Sequence, residues 1–152
     1  MPAYRLDDLD RRILNELARN GRLTNTELAE RLPLSHSAIS RRVARLERDG
    51  AITGYGAQVD PAALGLTIRA FIGVRRDPTA SVETLSRGLK SIPEVVGCWI
   101  VTGEYDFFID VRARDMDAFS NVLLHHVQKV PGVVATVSIF VLSDIQATPS
   151  VT

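Results

Sequence analysis

KSIPEVVG, residues 90–97, returns in altered form as QKVPGVVA, residues 128–135. Both copies follow one pattern: apolar, Pro, any residue, Val, Val, small. Proline stops a helix because it lacks the amide N–H and its ring clashes one turn back. Paired β-branched residues suit a pleated strand. Each copy therefore ends a helix and launches a strand.

The chain around the copies alternates to match. Leu66–Val74 reads as a strand and Ser81–Ser91 as a helix, with Val82, Leu85, Leu89 and Ile92 on one face. Val95–Val101 and Phe107–Arg112 read as strands. Asp115–Val130 reads as a helix with Phe119, Val122, Leu123 and Val127 inward, and Val133–Leu142 as a last strand. The order βαββαβ, with two related halves, predicts a ferredoxin-like sheet with both helices on one face. On the last strand Val133, Ala135, Val137, Ile139 and Val141 are expected under the helices. Val134, Thr136, Ser138, Phe140 and Leu142 then fall on the uncovered side, with Phe71. That side is too apolar for water, which predicts a homodimer packed through it.

The first fifty residues carry a different period. Leu6, Leu9, Ile13 and Leu17 recur at helical spacing, and Asn20-Gly21 ends that helix. A short second helix has Leu28, Ala29 and Leu32 inward. After the turn Leu32-Pro33-Leu34-Ser35, a third helix reads SHSAISRRVARLERDG, residues 35–50. Ile39, Val43 and Leu46 form its inner stripe. Ser37, Arg41, Ala44 and Arg48 lie opposite, Ser40 and Arg45 at the edges, and Arg42 on a flank. Three helices with a tight turn before a basic third one predict a helix-turn-helix. The first turns of such a helix meet base edges in the major groove of double-stranded DNA. Ser37, Ser40 and Arg41 are the candidates for base contacts. Arg42 and Arg45 are candidates for phosphates, and His36 for a phosphate or plain exposure. AITGYG, residues 51–56, is expected to form a short extended wing.

Charge supports two regions. Lys and Arg balance Asp and Glu at 18 each. Residues 1–52 hold ten arginines against eight acids, a net of +2, and the remainder a net of −2. The expected domains are a DNA-binding domain at 1–52, an extended arm and hinge at 53–65, a sheet domain at 66–147 and a tail at 148–152. Cys98 is the only cysteine, which suits a reducing cytosol. The charged N-terminus lacks a signal peptide's apolar core, and no apolar run reaches the roughly 18 residues of a membrane helix. A cytoplasmic protein with no membrane partner is expected.

VTGEYDFFIDV, residues 101–111, links the two central strands. Asp106 could accept from an ammonium, and backbone amides near Gly103, with Thr136 or Ser138, could donate to a carboxylate. Tyr105 could close the pocket. Equally, Gly103 and Asp106 could form only a turn, with Thr136 and Ser138 bonding inside a dimer. Adjacent His125 and His126 point about 100° apart, so they make a poor metal site. One is expected in solvent and the other near the sheet. No cofactor, metal or catalytic constellation is predicted.

The chain resembles the Lrp/AsnC family, the feast/famine transcriptional regulators, from Leu6 to about Ile145. The motifs are LDDLDRRILNELARNGR (6–22), LSHSAISRRVARLERDGAITGY (34–55), VDPAALG (59–65), TGEYDFFIDV (102–111) and PGVVATVS (131–138). The resemblance implies an α+β chain: an N-terminal winged helix-turn-helix, then a C-terminal ferredoxin-like βαββαβ domain of the RAM type. It also implies a small amino-acid-like effector bound between dimers, and homodimers assembling to octamers. The family's glycine-aspartate hairpin maps onto Gly103 and Asp106, and its paired hydroxyls onto Thr136 and Ser138, which favours the effector reading over the plain turn. The chain departs from its relatives at Pro33, where glycine is frequent, and this bears on the angle between the second and third helices. Two alternatives accompany this reading. Siroheme decarboxylases, which are enzymes, resemble the same two-domain build. A ligand-binding assembly module without DNA binding would also share it. The basic third helix favours the regulator.

Overall fold

A computed structural model describes residues 4–145, so the expected tail at 148–152 lies outside the described residues. The chain divides into two compact units, one up to Gln58 and one spanning Val59–Ile145.

The first unit is three helices, α1 (Asp8–Arg19), α2 (Asn25–Arg31) and α3 (His36–Arg48). Side-chain oxygens of Asp7, Thr24 and Ser35 cap them, offsetting amide donors that the helix itself cannot satisfy. Ile13, Leu23, Leu28, Leu32, Ile39, Val43 and Leu46 form the core. Burying such a side chain stabilises by roughly 1.5–3 kcal/mol, so this small unit depends on a handful of residues. Pro33 fits without strain. Leu32 leaves helical geometry at φ −119° and ψ 148°, the region that a residue before proline prefers. The segment after Gly50, expected as a short extended wing, bends at Ala51 and Ile52 and forms no strand ladder among the described residues.

The second unit begins with a 3-10 turn, Pro61–Leu64, then β1 (Ile68–Arg76), α4 (Val82–Lys90), β2 (Val95–Ile100), β3 (Phe107–Ala113), α5 (Met116–Asn121) and β4 (Val133–Phe140). The antiparallel sheet runs β2-β3-β1-β4, as the βαββαβ reading requires. Ala70, Ile72 and Val74 of β1, Phe107, Ile109 and Val111 of β3, and Leu85, Leu89, Phe119, Val122 and Val127 of the helices form one core. Both helices therefore cover the same face.

After α5 the helix widens into a π turn, Val122–His126, and tightens into a 3-10 turn, Val127–Lys129. Val122 and Val127 are both buried. At α-helical spacing they would point about 140° apart; the wider turn brings both to the core. The same turn leaves His125 and His126 both exposed. This corrects the expectation that one packs near the sheet.

The faces of β4 are also corrected. Ala70 pairs with Phe140, Ile72 with Ser138 and Val74 with Thr136. Directly opposed residues share a face, so Thr136, Ser138 and Phe140 lie on the helix side. The Phe140 ring meets Phe119 of α5 edge-on at 4.9 Å. The uncovered side carries Phe71, Val137 and Ile139 instead, with Phe108 and Trp99. Both residue sets of β4 are apolar enough to pass as the inner one, so alternation alone could not choose between them. A register shift at Arg75/Arg76 lets Val133 return to the core side.

Gly132 sits in the second copy of the repeated motif at φ +97°, where a Cβ would lie 2.6 Å from the Ala80 Cβ and 3.2 Å from Leu85. Its carbonyl accepts from the Asp77 amide at 2.7 Å. Gly132→Ala is expected to destabilise this unit by about 1–3 kcal/mol. Thermal unfolding followed by fluorescence of Trp99, the one tryptophan, measures it; an unchanged midpoint would contradict the packing.

Candidate nucleic-acid interface and effector site

α3 sorts its side chains by angle. Ile39, Val43 and Leu46 face inward. Ser37, Arg41, Ala44 and Arg48 are exposed on the opposite side, and His36 is exposed at the helix start. Ser35, the cap, accepts from the Ala38 amide at 3.2 Å, and its hydroxyl lies 3.2 Å from that of Ser37. The first turn is thus held in place while its outer face stays open.

Both flanks are occupied. On one, Arg42 Nη1 donates to Asp7 at 2.6 Å and to Asp10 at 2.7 Å, and Arg45 Nη2 donates to Asp10. Asp10 is fully buried. It also receives the Asp7 amide at 3.1 Å, completing the capping box of α1. Arg42 and Arg45, expected to meet phosphates, thus already hold protein carboxylates. The Asp10 amide and then the Arg42 guanidinium hold the Asp7 carboxyl below its ordinary value of 3.8. On the other flank, half-buried Ser40 lines a cavity of about 450 Å³ with Thr24, Val43, Glu47 and Tyr55. There the Tyr55 hydroxyl donates to Glu47 at 2.8 Å.

Sequence reasoning missed Asp10. The signal was present: Leu6, Asp10, Ile13 and Leu17 fall on one stripe of α1, and a carboxylate on an apolar stripe demands buried donors.

In the second unit the 101–106 hairpin gathers three of the five candidate effector residues. Gly103 is exposed at φ +114°. The Asp106 amide donates to the Val74 carbonyl at 2.9 Å, and its carboxylate accepts from the Arg76 amide at 2.8 Å. The Arg76 Nε stands 3.7 Å from the other carboxylate oxygen. Tyr105 lies over Gly73, where a Cβ would be 2.8 Å from the ring, and meets Phe108 edge-on at 5.8 Å. Thr136 and Ser138 lie across β1 from the hairpin, opposite Val74 and Ile72. Thr136 accepts from Gln128 Nε2 at 3.1 Å, a neighbour that sequence reasoning did not include.

The uncovered sheet face is not purely apolar. Arg69 donates to Asp110 from Nη2 at 2.8 Å and from Nε at 3.2 Å, and lies 4.9 Å from the centre of the Phe71 ring. Arg112 stands 3.6 Å from the same carboxylate. Asp110 is only 5% exposed. Its partners come from different strands, so this cluster was hidden until register was known. Burial pushes the Cys98 thiol up, away from a reactive thiolate. No group of three or more metal-ligating side chains gathers among the described residues. No helix of theirs is long and apolar enough to cross a membrane.

A family profile described as winged helix-turn-helix DNA-binding matches residues 6–53, and one described as the Lrp/AsnC ligand binding domain matches residues 69–151. The chain is 33% identical to the leucine-responsive regulatory protein of Escherichia coli K12, over 95% of this chain and 90% of that one. A transcriptional regulator of Neisseria meningitidis, solved as a complex with L-Met, superposes with a TM-score of 0.91 at 38% identity, covering 97% of this chain and 96% of that one. Escherichia coli AsnC superposes at 0.88 with 33% identity, covering 96% and 99%. The feast or famine regulatory protein of Mycobacterium tuberculosis, complexed with L-methionine, superposes at 0.84 with 38% identity, covering 95% and 99%. These relatives are regulators, and the decarboxylase alternative is not favoured. A helix-turn-helix unit, a ferredoxin-like unit of matching topology and likeness along nearly the whole length lead to one conclusion: the chain belongs to the Lrp/AsnC family of transcriptional regulators.

Proposed function

We propose that this regulator reads double-stranded DNA with the outer face of α3 and is modulated by an amino acid or related metabolite at the 101–106 hairpin. One observation carries the DNA reading: the exposed face of α3 coincides with its basic and hydroxylated residues, while the apolar set is buried. Ser37, Ser40 and Arg41 would meet base edges, and His36 a phosphate beside the helix start. Arg42 and Arg45 lie on the flank turned to α1.

The effector reading rests on Gly103, Tyr105 and Asp106 standing together, with Thr136 and Ser138 one strand away. Two relatives were solved with L-methionine, which supports an amino-acid class for this chain. Asp106 would hold the ammonium through Oδ1, the oxygen that does not accept from the Arg76 amide. Tyr105 gives the hairpin a physical link to the uncovered sheet face, through Gly73 and Phe108. Two chains would pair through that face, where Trp99 and Ile139 are each about half exposed, and pairs would assemble further toward an octamer. Effector at the hairpin would then bias assembly, and with it the spacing of recognition helices. In such a regulator the site of action is the cytoplasm.

Arg41→Ala is expected to weaken binding to a preferred duplex by about 1–3 kcal/mol, and a random duplex by less. Titration of both by fluorescence anisotropy checks it; equal loss on both would make Arg41 a phosphate contact. For the effector, a thermal-shift screen of the twenty amino acids comes first, since selective binding to the folded state raises the melting temperature. Asp106→Asn keeps an acceptor for the Arg76 amide but removes the charge. It is expected to cost about 1.5–3 kcal/mol of affinity for the selected amino acid. Unchanged affinity in a folded variant would reject the site.

A further inference from the structure

We propose that Asp10 is a positioning residue of the recognition helix, and that Arg42 and Arg45 are its struts rather than phosphate contacts. The inference rests on the DNA-binding reading and goes beyond it by dividing the arginines of α3 into two classes.

The geometry is direct. Asp10 lies on α1, fully buried, and receives three donors: Arg42, Arg45 and the Asp7 amide. Arg42 adds a bond to Asp7. A buried carboxylate stripped of donors is costly, so the positions of Arg42 and Arg45 are coupled to the fold. Those residues sit three apart on α3, along one flank, so tying both to a single point fixes the rotation of the helix about its axis. The opposite flank is held through Glu47 and Tyr55. What remains exposed is the strip of Ser37, Arg41, Ala44 and Arg48, with Arg48 paired to Asp49 at 3.2 Å.

Charge points the same way. Two carboxylates, Asp7 and Asp10, offset two guanidinium groups, Arg42 and Arg45, for a net of zero. Guanidinium groups already held by carboxylates neutralise no phosphate and so displace no counterion from the DNA, whereas Arg41 has no carboxylate at salt-bridge distance among the described residues. Salt dependence of binding separates the two classes, because each phosphate neutralised adds about 0.9 to the slope of log affinity against log salt.

The test uses the full chain with two probes: a random-sequence duplex, and the duplex that the wild-type chain enriches from a random pool. Arg41→Gln is expected to lower the salt slope on the random duplex by about 0.9, and Arg42→Gln to leave it unchanged. Arg42→Gln and Asp10→Asn are both expected to lower the ratio of enriched to random affinity about tenfold, the loss of one base contact. A purely structural role would reduce the folded fraction and weaken both probes equally. Arg42→Gln leaves Asp10 with two donors and so tests the strut even where Asp10→Asn fails to fold, as read by circular dichroism. A slope loss in Arg42→Gln equal to that of Arg41→Gln, or an unchanged ratio in a folded Arg42→Gln or Asp10→Asn chain, would overturn the assignment. A wild-type chain that retains neither duplex would remove DNA binding itself, and the strut with it; the other outcomes leave DNA binding standing.

Discussion

A carboxylate with no access to water governs the first unit. Asp10 must be met by donors from inside the protein, because an ion removed from water without partners costs several kcal/mol. The chain meets that demand from two helices at once. The start of α1 supplies an amide, and the recognition helix supplies two guanidinium groups. The capping box that begins α1 is therefore also the seat of α3. With only seven buried apolar residues in its core among the described residues, the unit has little other means of fixing the rotation of α3. Hydrophobic contact is non-directional, whereas a fork of N–H donors on a carboxylate is not.

The second unit solves a different problem. Its helices cover one face of the sheet, and the residues left on the other face mix large apolar side chains with the Arg69–Asp110–Arg112 cluster. Such a face suits a partner that matches both its shape and its polar pattern, the role proposed above for a second copy of the chain. Tyr105 occupies the boundary between this face and the hairpin. Its ring fits only because position 73 is glycine. The contact gives the proposed effector site a mechanical route to the proposed interface.

Much of this was legible from residues alone. The repeated proline-valine motif located both helix-to-strand junctions, and the inner stripe of α3 placed Ser37, Arg41, Ala44 and Arg48 outside. Three features were not legible, each for a physical reason. The faces of β4 depended on register, because both alternating sets are apolar. The exposure of both His125 and His126 depended on a π turn, which no periodicity near 3.6 foresees. The pairing of Asp10 with Arg42 and Arg45 joins residues more than thirty positions apart, so only its need, not its partners, could be read from α1. Asp106 and Thr136 show the same limit at the effector site. Their types suggested a ligand, but their placement on opposite flanks of β1 required the sheet.

The most direct measurement is a structure of the full chain bound to the duplex it enriches from a random pool. The account predicts α3 in the major groove with Ser37, Ser40 and Arg41 at base edges, while Arg42 and Arg45 still hold Asp10. Helix α3 turned away from the duplex, or Asp10 abandoned with both arginines on phosphates, would contradict it.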